Sequence, residues 1–331
     1  MSHQRVAWEG RTRWNELPAP WRTVPMPQPP LRVLLNAHAG GDADPVRQSV
    51  RLHPDAELVE ADDLVAAAAQ AAREGVPLVV AAGGDGTIHA VANGLVRGGD
   101  GAEDRPTLGV LPTGTGNDFA RTLALPLGEA CADLLQLIET GERRLLDAVR
   151  VTTETSSCIA MNACSGGFTG QIDEEMTPEL KATWGPLAYA IGTVRALPNL
   201  EDYHTTIAWD DEEPEVVEAF NVLVANGRSI GGGTPVAPMA NPEDGLLDVV
   251  VVREGGALDI ARLTARAYAT KDYVADDKVV YRRVRRVRVA SQPGMWFNVD
   301  GELHTKEPVT FEVLPSALRV VVGPEYSADA E

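Results

Sequence analysis

The first half of the sequence alternates short apolar runs with stretches of helical periodicity. In chain order the pattern reads LRVLLN, a helix over about 43–53, ELVE, the helical stretch ADDLVAAAAQAAREG, PLVVAA, a helix from about Thr87, TLGVLP and further helices. Short apolar runs bounded by turn residues are typical of buried strands. Their alternation with helices predicts an α/β domain in which helices cover both faces of a mostly parallel sheet.

After about Asp147 the pattern changes to strand-like runs separated by Gly, Pro and Asp. The runs are RVTTET, AFNVLVAN, LLDVVVV, RRVRVA and LRVVVG, and one helical interval, GPLAYAIGTVRAL, lies among them. Many short strands joined by turns predict a mainly antiparallel β domain and favour a sandwich over a barrel.

The length of 331 residues exceeds one average hydrophobic core and fits two domains with a cleft between them. We expect a surface extension over 1–30, where aperiodic sequence surrounds three tryptophans and several prolines. An α/β domain over 31–147 and a β-sandwich over 148–322 would follow, with a tail over 323–331. The last strand of the sandwich can return to the first domain.

The formal net charge of −19 argues against nucleic acid as a partner, because phosphate backbones are bound by basic surfaces. The same charge disfavours broad contact with an anionic membrane. One basic run, YRRVRRVRV at 281–289, could supply a local membrane contact or could form the solvated face of a strand. The oligomeric state stays open, a homodimer included.

The composition indicates a cytoplasmic protein that would meet a membrane only at its periphery. No apolar stretch reaches the length of a membrane-spanning helix, and the first thirty residues lack the apolar segment of a secretory signal. Cys131, Cys158 and Cys164 have neither the even count nor the spacing of a disulfide framework or a zinc site, so we expect reduced thiols.

The strongest local signal is PLVVAAGGDGTIHAVANGL, where a strand runs through a glycine loop into a helix. The loop consists of Gly83, Gly84, Asp85, Gly86 and Thr87. Glycines let the backbone approach a phosphate, and the N–H groups of a helix N-terminus favour an anion. A carboxylate beside phosphate would be repelled unless a divalent cation lies between them, so we assign Asp85 to metal. By itself the motif could also be a capping Asp in a glycine turn.

A second loop of the same kind follows the next strand in LGVLPTGTGNDFAR. It comprises Thr113, Gly114, Thr115, Gly116, Asn117 and Asp118. Junctions of this type fall on one edge of a parallel sheet, where ligands bind in open α/β folds, so both loops should face one crevice. Hydroxyl and amide groups can bind phosphate or ribose, and Asp118 offers a second carboxylate for metal or for the acceptor hydroxyl. Helix capping is the alternative for Asp118.

The pair GGDGT and GTGND, about thirty residues apart, resembles the catalytic domain of diacylglycerol kinases, a family that includes sphingosine, ceramide and bacterial lipid kinases. The resemblance continues through LLDAVRV, NACSGGF at 162–168, GPLAYAIGTVRAL, VLVANGRSIGGGTPVAPMANPEDGLLDVVVV and FNVDGEL. It therefore extends from about Leu31 to Val322. It implies a nucleotide-binding α/β domain, an acceptor-binding β-sandwich and an active site in the cleft between them.

The resemblance also implies ATP, Mg²⁺ and a lipid acceptor, with roles for particular residues. Asp85 would belong to the loop that holds nucleotide and magnesium, and Thr113 and Asn117 would contact the nucleotide. Asp118 and Asp147 would join a carboxylate network around metal-bound water.

Glu302 resembles the general base of the family. A base within reach of the acceptor hydroxyl can take its proton while the γ-phosphoryl group transfers. Asp300-Gly301 between two apolar runs is also a hairpin signal, and both interpretations can hold together, because a tight turn aims the carboxylate that follows it.

Asn241, Asp244 and Leu246 resemble a structural magnesium site of bacterial family members. Carboxylate and backbone oxygens suit a hard cation, but Asp244-Gly245 is equally good turn chemistry.

The first loop departs from the family pattern. The family has Asn-Pro-x-Ser-Gly where this sequence has Asn36, Ala37, His38, Ala39 and Gly40. Asn36 remains a candidate nucleotide contact. The missing proline and serine leave nucleotide affinity and choice open.

Two other functions compete with a lipid kinase. A soluble-substrate kinase of the NAD kinase type shares GGDGT, but PTGTGNDFAR and the late Asp-Gly-Glu follow the lipid kinase pattern. A catalytically silent lipid-binding protein would keep the fold, yet all four expected carboxylates are present. The identity of the acceptor lipid depends on the shape of a pocket and is not encoded in a readable pattern.

Overall fold

The computed structural model describes residues 31–37, 43–99, 101, 104–167, 203–255, 259, 262–263, 266–267, 269–270, 272–306 and 308–329. The predicted extension over 1–30, His38 to Gly40 of the first loop, and GPLAYAIGTVRAL lie outside these residues. The described residues form the helices α1 Asp44–Leu52, α2 Leu64–Arg73, α3 Asp85–Gly98, α4 Asp118–Thr122 and α5 Cys131–Thr140, with a 3₁₀ turn at Tyr273–Ala275.

The strands of the described residues are β1 Leu31–Asn36, β2 Ala56–Ala61, β3 Leu78–Gly83, β4 Thr107–Pro112, β5 Arg143–Thr152, β6 Ser157–Ala160, β7 Ala163–Gly167, β8 Tyr203–Trp209, β9 Glu215–Ala225, β10 Ser229–Ile230, β11 Thr234–Pro235, β12 Leu247–Arg253, β13 Val279–Val284, β14 Arg286–Gln292, β15 Trp296–Val299, β16 Glu302–Lys306 and β17 Val309–Val321.

The N-terminal domain is built on a parallel sheet in the order β2-β1-β3-β4. Alternate side chains of each strand point to opposite faces. Val79 and Ala81 of β3 pack in the core beneath α2 and α3, whereas Leu78 and Val80 pack in the core beneath α1 and α5. Helices therefore cover both faces, as the sequence pattern predicted.

The carboxyl edge of this sheet is also where the helices α2 and α3 begin. Asp63 caps α2, because its side chain accepts a hydrogen bond from the backbone N–H of Ala66. Gly84 is the N-cap of α3 and has no side chain to bond the first turn. The free N–H groups of that turn are thus left for a ligand.

The C-terminal domain is a mainly antiparallel β-sandwich, which confirms the predicted fold class. Its core collects apolar side chains from β5 to β9, from β12 to β15 and from β17. Trp209, Phe297 and Phe311 are among its largest fully buried side chains. The rings of Phe297 and Phe311 lie 5.3 Å apart and are tilted by 59°, an arrangement that aromatic pairs favour.

Two long strands, β5 and β17, run through both domains. The first part of β17 pairs with β14 and β5 in the sandwich, and its last part pairs with β4 in parallel at Val320 and Leu108. An irregularity between Leu314 and Leu318 separates the two parts, and Ser316 within it has φ 49°. Asp147 lies in the middle of β5, so the change of pattern there does not coincide with the end of an element.

Candidate active site

The two glycine loops touch each other at the carboxyl edge of the parallel sheet. A Cβ at Gly114 would collide with the Cα of Gly84, so a side chain there would push the loops apart. The N–H of Thr113 donates to the carbonyl of Gly83 (3.1 Å), which joins the loops through their backbones. The sequence prediction that both loops face one crevice is in agreement with this arrangement.

Asp85 is the first residue of α3, and its carboxylate lies across the start of α4. It accepts hydrogen bonds from the N–H groups of Asp118 (3.2 Å) and Phe119 (3.1 Å). Burial raises the pKa of Asp85 to about 6; the two N–H donors oppose the rise, and the charges of Asp118 and Asp300 add to it. Asp85 therefore caps the helix of the other loop, and its charge is unfavourable without a nearby cation.

Asp118 joins the second loop to the C-terminal domain. Its carboxylate accepts hydrogen bonds from Gly232 N (2.8 Å), Gly233 N (2.8 Å) and Ser229 Oγ (3.2 Å) in the β10–β11 hairpin. A Cβ at Gly116 would lie 2.9 Å from Asp85 Oδ2 and 3.5 Å from Asp118 Oδ2, so the two carboxylates converge on one point. Asp118 does not cap its own helix.

Asn117 uses its side chain inside the loop. Its Oδ1 accepts from Gly114 N (3.1 Å), and its Nδ2 donates to the carbonyl of Gly114 (2.7 Å). The residue has φ 54°, a left-handed conformation that asparagine tolerates better than most residues. The amide thus shapes the loop, whereas the side chains of Thr113 and Thr115 are exposed.

Glu302 stands directly opposite the N-terminus of α3. Asp300 (φ 48°) and Gly301 (φ 93°) form the tight turn between β15 and β16, where Val299 pairs with Glu302. The hairpin predicted from Asp-Gly is present. Glu302 follows this turn, and its Oε1 lies 2.7 Å from where a Cβ at Gly86 would be. The turn brings Glu302 to the first glycine loop across 216 positions of sequence.

The buried carboxylate of Asp300 is a feature that the sequence analysis treated only as part of a turn. It accepts from the N–H groups of Met161 (2.7 Å), Asn162 (2.9 Å) and Ala163 (3.1 Å), and it lies 3.3 Å from Nδ1 of His89. Burial opposes protonation of His89, but the hydrogen bond to Asp300 and the charges of Asp300 and Glu302 outweigh it and raise the pKa of His89.

Asp147 has different neighbours from the other three predicted carboxylates. It is buried, and its side chain accepts from the N–H groups of Gly245 (2.7 Å) and Ser316 (2.7 Å). Burial raises the pKa of Asp147, against the effect of these two donors. The structure therefore brings together Asp85, Asp118 and Glu302, while Asp147 holds the 242–246 loop against the irregularity of β17.

The predicted structural magnesium site already contains a cation from the protein. Asp244 forms an ion pair with Arg283, and its other oxygen accepts from Leu246 N (2.9 Å). Asn241 accepts from Glu243 N (2.9 Å). These contacts do not fit a metal ion at Asp244, because the Arg283 guanidinium already supplies the positive charge beside this carboxylate. The magnesium ion stays a prediction from resemblance.

A cleft of about 500 Å³ opens between the glycine loops, the start of α2 and Glu302. It is lined by Asn36, Asp62, Asp63, Leu64, Val65, Gly84, Gly86, Thr87, Ala90, Gly114 and Glu302. Its lining within the described ranges has three carboxylates and no lysine or arginine. These carboxylates repel an anion such as a nucleoside triphosphate, and a cation bound with the anion would reduce the repulsion.

The basic run at 281–289 is largely neutralised. Arg282 pairs with Glu212 and lies over the ring of Trp209, and Arg286 pairs with Asp211. With Arg283 also paired, three of its five arginines have acidic partners. Arg286 and Arg288 are exposed and alternate with buried valines, the pattern of a strand with a solvated face.

The sequence matches two family descriptions that together span most of the chain. Residues 30–151 match the "Diacylglycerol kinase catalytic domain", and residues 162–322 match the "YegS C-terminal NAD kinase beta sandwich-like domain". A diacylglycerol kinase of Bacillus subtilis (strain 168) is 32% identical over 268 residues, which cover 80% of this chain and 84% of that protein. The chain belongs to the diacylglycerol kinase family.

Other members of the family show the same extent of similarity. A protein of Xanthomonas euvesicatoria pv. vesicatoria (strain 85-10) named "Probable lipid kinase YegS-like" is 33% identical over 251 residues, covering 76% of this chain and 80% of that protein. The crystal structure of a diacylglycerol kinase from Bacillus anthracis str. Sterne superposes with a TM-score of 0.64 at 25% identity, over 89% of this chain and 97% of that one. The predicted family and its kinase class are confirmed.

This member of the diacylglycerol kinase family has no helix that could cross a membrane, as far as the described residues extend. Its three cysteines are free, as expected. His89 is the site residue that the sequence analysis missed. A signal for it existed, because Asp85, His89 and Asn93 recur every four residues and form a polar stripe along α3, whose other polar side chains are Thr87 and Arg97.

Proposed function

We propose that this member of the diacylglycerol kinase family transfers the γ-phosphoryl group of ATP, bound with Mg²⁺, to the hydroxyl group of a lipid. The observation that carries the proposal is the position of Glu302, whose Oε1 faces Gly86 at the N-terminus of α3. A helix N-terminus that begins in a glycine loop is a natural phosphate site. A carboxylate opposite that site is placed to receive a proton from an acceptor hydroxyl.

In the proposed reaction Glu302 takes the proton of the lipid hydroxyl as its oxygen bonds to the γ-phosphorus. The bond between that phosphorus and the bridging oxygen of ADP breaks, and ADP leaves with the electron pair. The N–H groups of the first turn of α3 would hold the phosphates in place. Asp118 acts indirectly, because its carboxylate fixes the β10–β11 hairpin beside the second loop.

The residues present fit a magnesium ion carried in with the nucleotide. Asp85 is buried, and its pKa is raised to about 6. The lining of the cleft has three carboxylates and, among the described residues, no positively charged side chain. Asp85 would hold the ion, on the side of the loop where Asp118 converges with it. Bound there, Mg²⁺ would neutralise charge on the phosphates during transfer.

The acceptor in this proposal is a diacylglycerol-like or sphingoid lipid. The support is that similar proteins are named diacylglycerol kinase and probable lipid kinase. Such an acceptor resides in a bilayer, so we propose that the enzyme works at a membrane surface. The paired arginines of the 281–289 run argue that this contact does not depend on that basic strand.

The test is transfer of γ-labelled phosphate from ATP and Mg²⁺ to a panel of lipids in mixed micelles, with NAD as a soluble acceptor. We expect one lipid class to become labelled and both Asp85→Ala and Glu302→Gln to lose the label while remaining folded. Glu213→Gln, in the exposed turn between β8 and β9, is the matched control and should keep full activity.

The other outcomes would each remove part of the proposal. Label on NAD alone would replace the lipid by a soluble acceptor. Turnover retained in Glu302→Gln would exclude Glu302 as the base. No label on any acceptor, with a folded protein that binds ATP, would favour a silent lipid-binding protein.

A further inference from the structure

We infer that His89 is a positioning residue, which holds the Asp300–Gly301 turn and thereby keeps the Glu302 carboxylate against the N-terminus of α3. The inference rests on the proposed role of Glu302 as general base. His89 belongs neither to the glycine loops nor to the Asp-Gly-Glu element, and no role was assigned to it above.

His89 lies in the second turn of α3, on the same face as Asp85 and Asn93. Side chains four residues apart lie on the same helix face, so Asp85, His89 and Asn93 form one stripe. Ile88 and Val91 point instead into the apolar core beneath the helix. Asp85 bonds the start of α4, whereas His89 and Asn93 face the C-terminal domain, where Asn93 bonds the backbone of Ile159.

Asn93 ties α3 to the backbone of Ile159, whereas Asp300 determines which nitrogen of His89 carries the proton. Asn93 Oδ1 accepts from Ile159 N (2.9 Å), and Asn93 Nδ2 donates to Ile159 O (2.9 Å), so the amide can have only this orientation. Its Nδ2 then faces Nε2 of His89 at 3.3 Å. The two hydrogens of Nδ2 go to Ile159 O and to His89 O (both 2.9 Å), so this longer contact does not fix the imidazole. Nδ1 of His89 lies 3.3 Å from Asp300 Oδ2, and because a carboxylate only accepts, the imidazole hydrogen that faces it sits on Nδ1.

That Nδ1–H donates to Asp300, and the bond closes a link between the two domains. Asp300 is otherwise held by the N–H groups of Met161, Asn162 and Ala163, all from the C-terminal domain. Within the described chain, His89 is the partner that ties the Asp300 carboxylate to the N-terminal domain. Without it, the hairpin would be anchored to its own domain only.

The spacing along α3 explains why this bond should matter for catalysis. Two contacts join α3 to the turn: Gly86 faces Glu302, and His89 bonds Asp300. Gly86 and His89 are three residues apart on α3, and Asp300 and Glu302 are two residues apart in the turn. One turn of a single helix thus fixes both the phosphate site and the base that faces it. Misplacing a reacting group by about 1 Å can cost on the order of a hundredfold in rate.

The experiment compares His89→Leu with His89→Asn. The Nδ2 of asparagine is as many bonds from Cβ as the Nδ1 of histidine, so His89→Asn keeps a donor for Asp300, whereas His89→Leu has none. We expect His89→Leu to lower kcat by about 30- to 100-fold with KM for ATP changed less than about threefold. His89→Asn should recover kcat to within about fivefold of the wild type.

Hydrogen–deuterium exchange supplies a readout that does not need activity. The peptide that covers 296–306 should exchange faster in His89→Leu and at the wild-type rate in His89→Asn, with thermal unfolding recorded for each protein. His204→Leu removes another imidazole–carboxylate pair, an exposed one with Glu218, and should change neither kcat nor exchange in this peptide.

Three results would overturn the inference. The first is a kcat of His89→Leu within about threefold of the wild type. The second is a rise in the KM of His89→Leu for ATP that is as large as its fall in kcat. The third is a kcat of His89→Asn as low as that of His89→Leu. If the wild type phosphorylates no lipid, the proposed function fails separately. Hydrogen–deuterium exchange then tests the link between His89 and Asp300 without activity. Unchanged exchange in His89→Leu would then exclude the link, and faster exchange reversed in His89→Asn would support it.

Discussion

Replacing Asp85 by asparagine should make the protein more stable at neutral pH while removing phosphoryl transfer. The carboxylate of Asp85 is buried beside Asp118 and Asp300, which raises its pKa from 3.8 to about 6. A raised pKa means that the folded protein disfavours the charged form. The stability associated with the neutral carboxyl is complete below its unfolded pKa and is lost as the pH rises through about 6.

The magnitude follows from the size of the shift. A shift of about 2 pKa units corresponds to about 3 kcal/mol between the two protonation states, of which about 2 kcal/mol develops between pH 4 and pH 8. Asparagine has one acceptor oxygen where Asp85 uses two, for Asp118 N and Phe119 N. The lost hydrogen bond costs about 1 kcal/mol, so the net gain near pH 8 is about 1–2 kcal/mol.

Urea unfolding of both proteins between pH 4 and pH 8, without nucleotide and with EDTA, measures the effect. The free energy of unfolding of Asp85→Asn minus that of the wild type should rise with pH. Asp248→Asn is the control, because burial also raises the pKa of Asp248 to about 6 but its partners are Tyr281 and Arg283, outside the cleft. It should show the same rise and keep phosphoryl transfer.

A difference between Asp85→Asn and the wild type that is constant with pH, or that falls as pH rises, would refute the reasoning. Either result would mean that the charge of Asp85 is already compensated in the protein without nucleotide. The need for a cation at this carboxylate would then lose its electrostatic basis.

Two further predictions concern the second glycine loop and the loop that contains Asp244. Gly114→Ala should lower stability by about 1–3 kcal/mol and weaken ATP binding, because the new Cβ collides with Gly84. Gly101→Ala is the control and should do neither, because the atom nearest to its new Cβ is 3.9 Å away. Wild-type ATP affinity in Gly114→Ala would contradict the close contact of the loops. The thermal unfolding midpoint without nucleotide should differ by less than about 1 °C between EDTA and MgCl₂, because Arg283 already neutralises Asp244. A magnesium-dependent rise that disappears in Asp244→Asn would instead establish the structural cation.

The sequence was most informative where a local pattern determines a local structure. Glycine loops between a strand and a helix placed Gly84 and Gly114 on one edge, because parallel strands share their carboxyl edge. The partners of buried carboxylates were not predictable in this way. Asp118 bonds the N–H groups of Gly232 and Gly233, and Asp147 bonds that of Ser316; these donors are backbone groups more than a hundred positions away that have no residue signature. His89 was missed for a different reason, because its partner Asp300 had been explained as turn chemistry.

The shared strands β5 and β17 limit how the protein can be divided. A fragment that ends at Thr152 would lack β17 and would leave the edge of β4 unpaired. An exposed, flat, apolar edge strand is a template for pairing with other chains. The N-terminal half alone should therefore self-associate when it is expressed without the rest, so work on isolated halves of this enzyme would report on aggregation rather than on nucleotide binding.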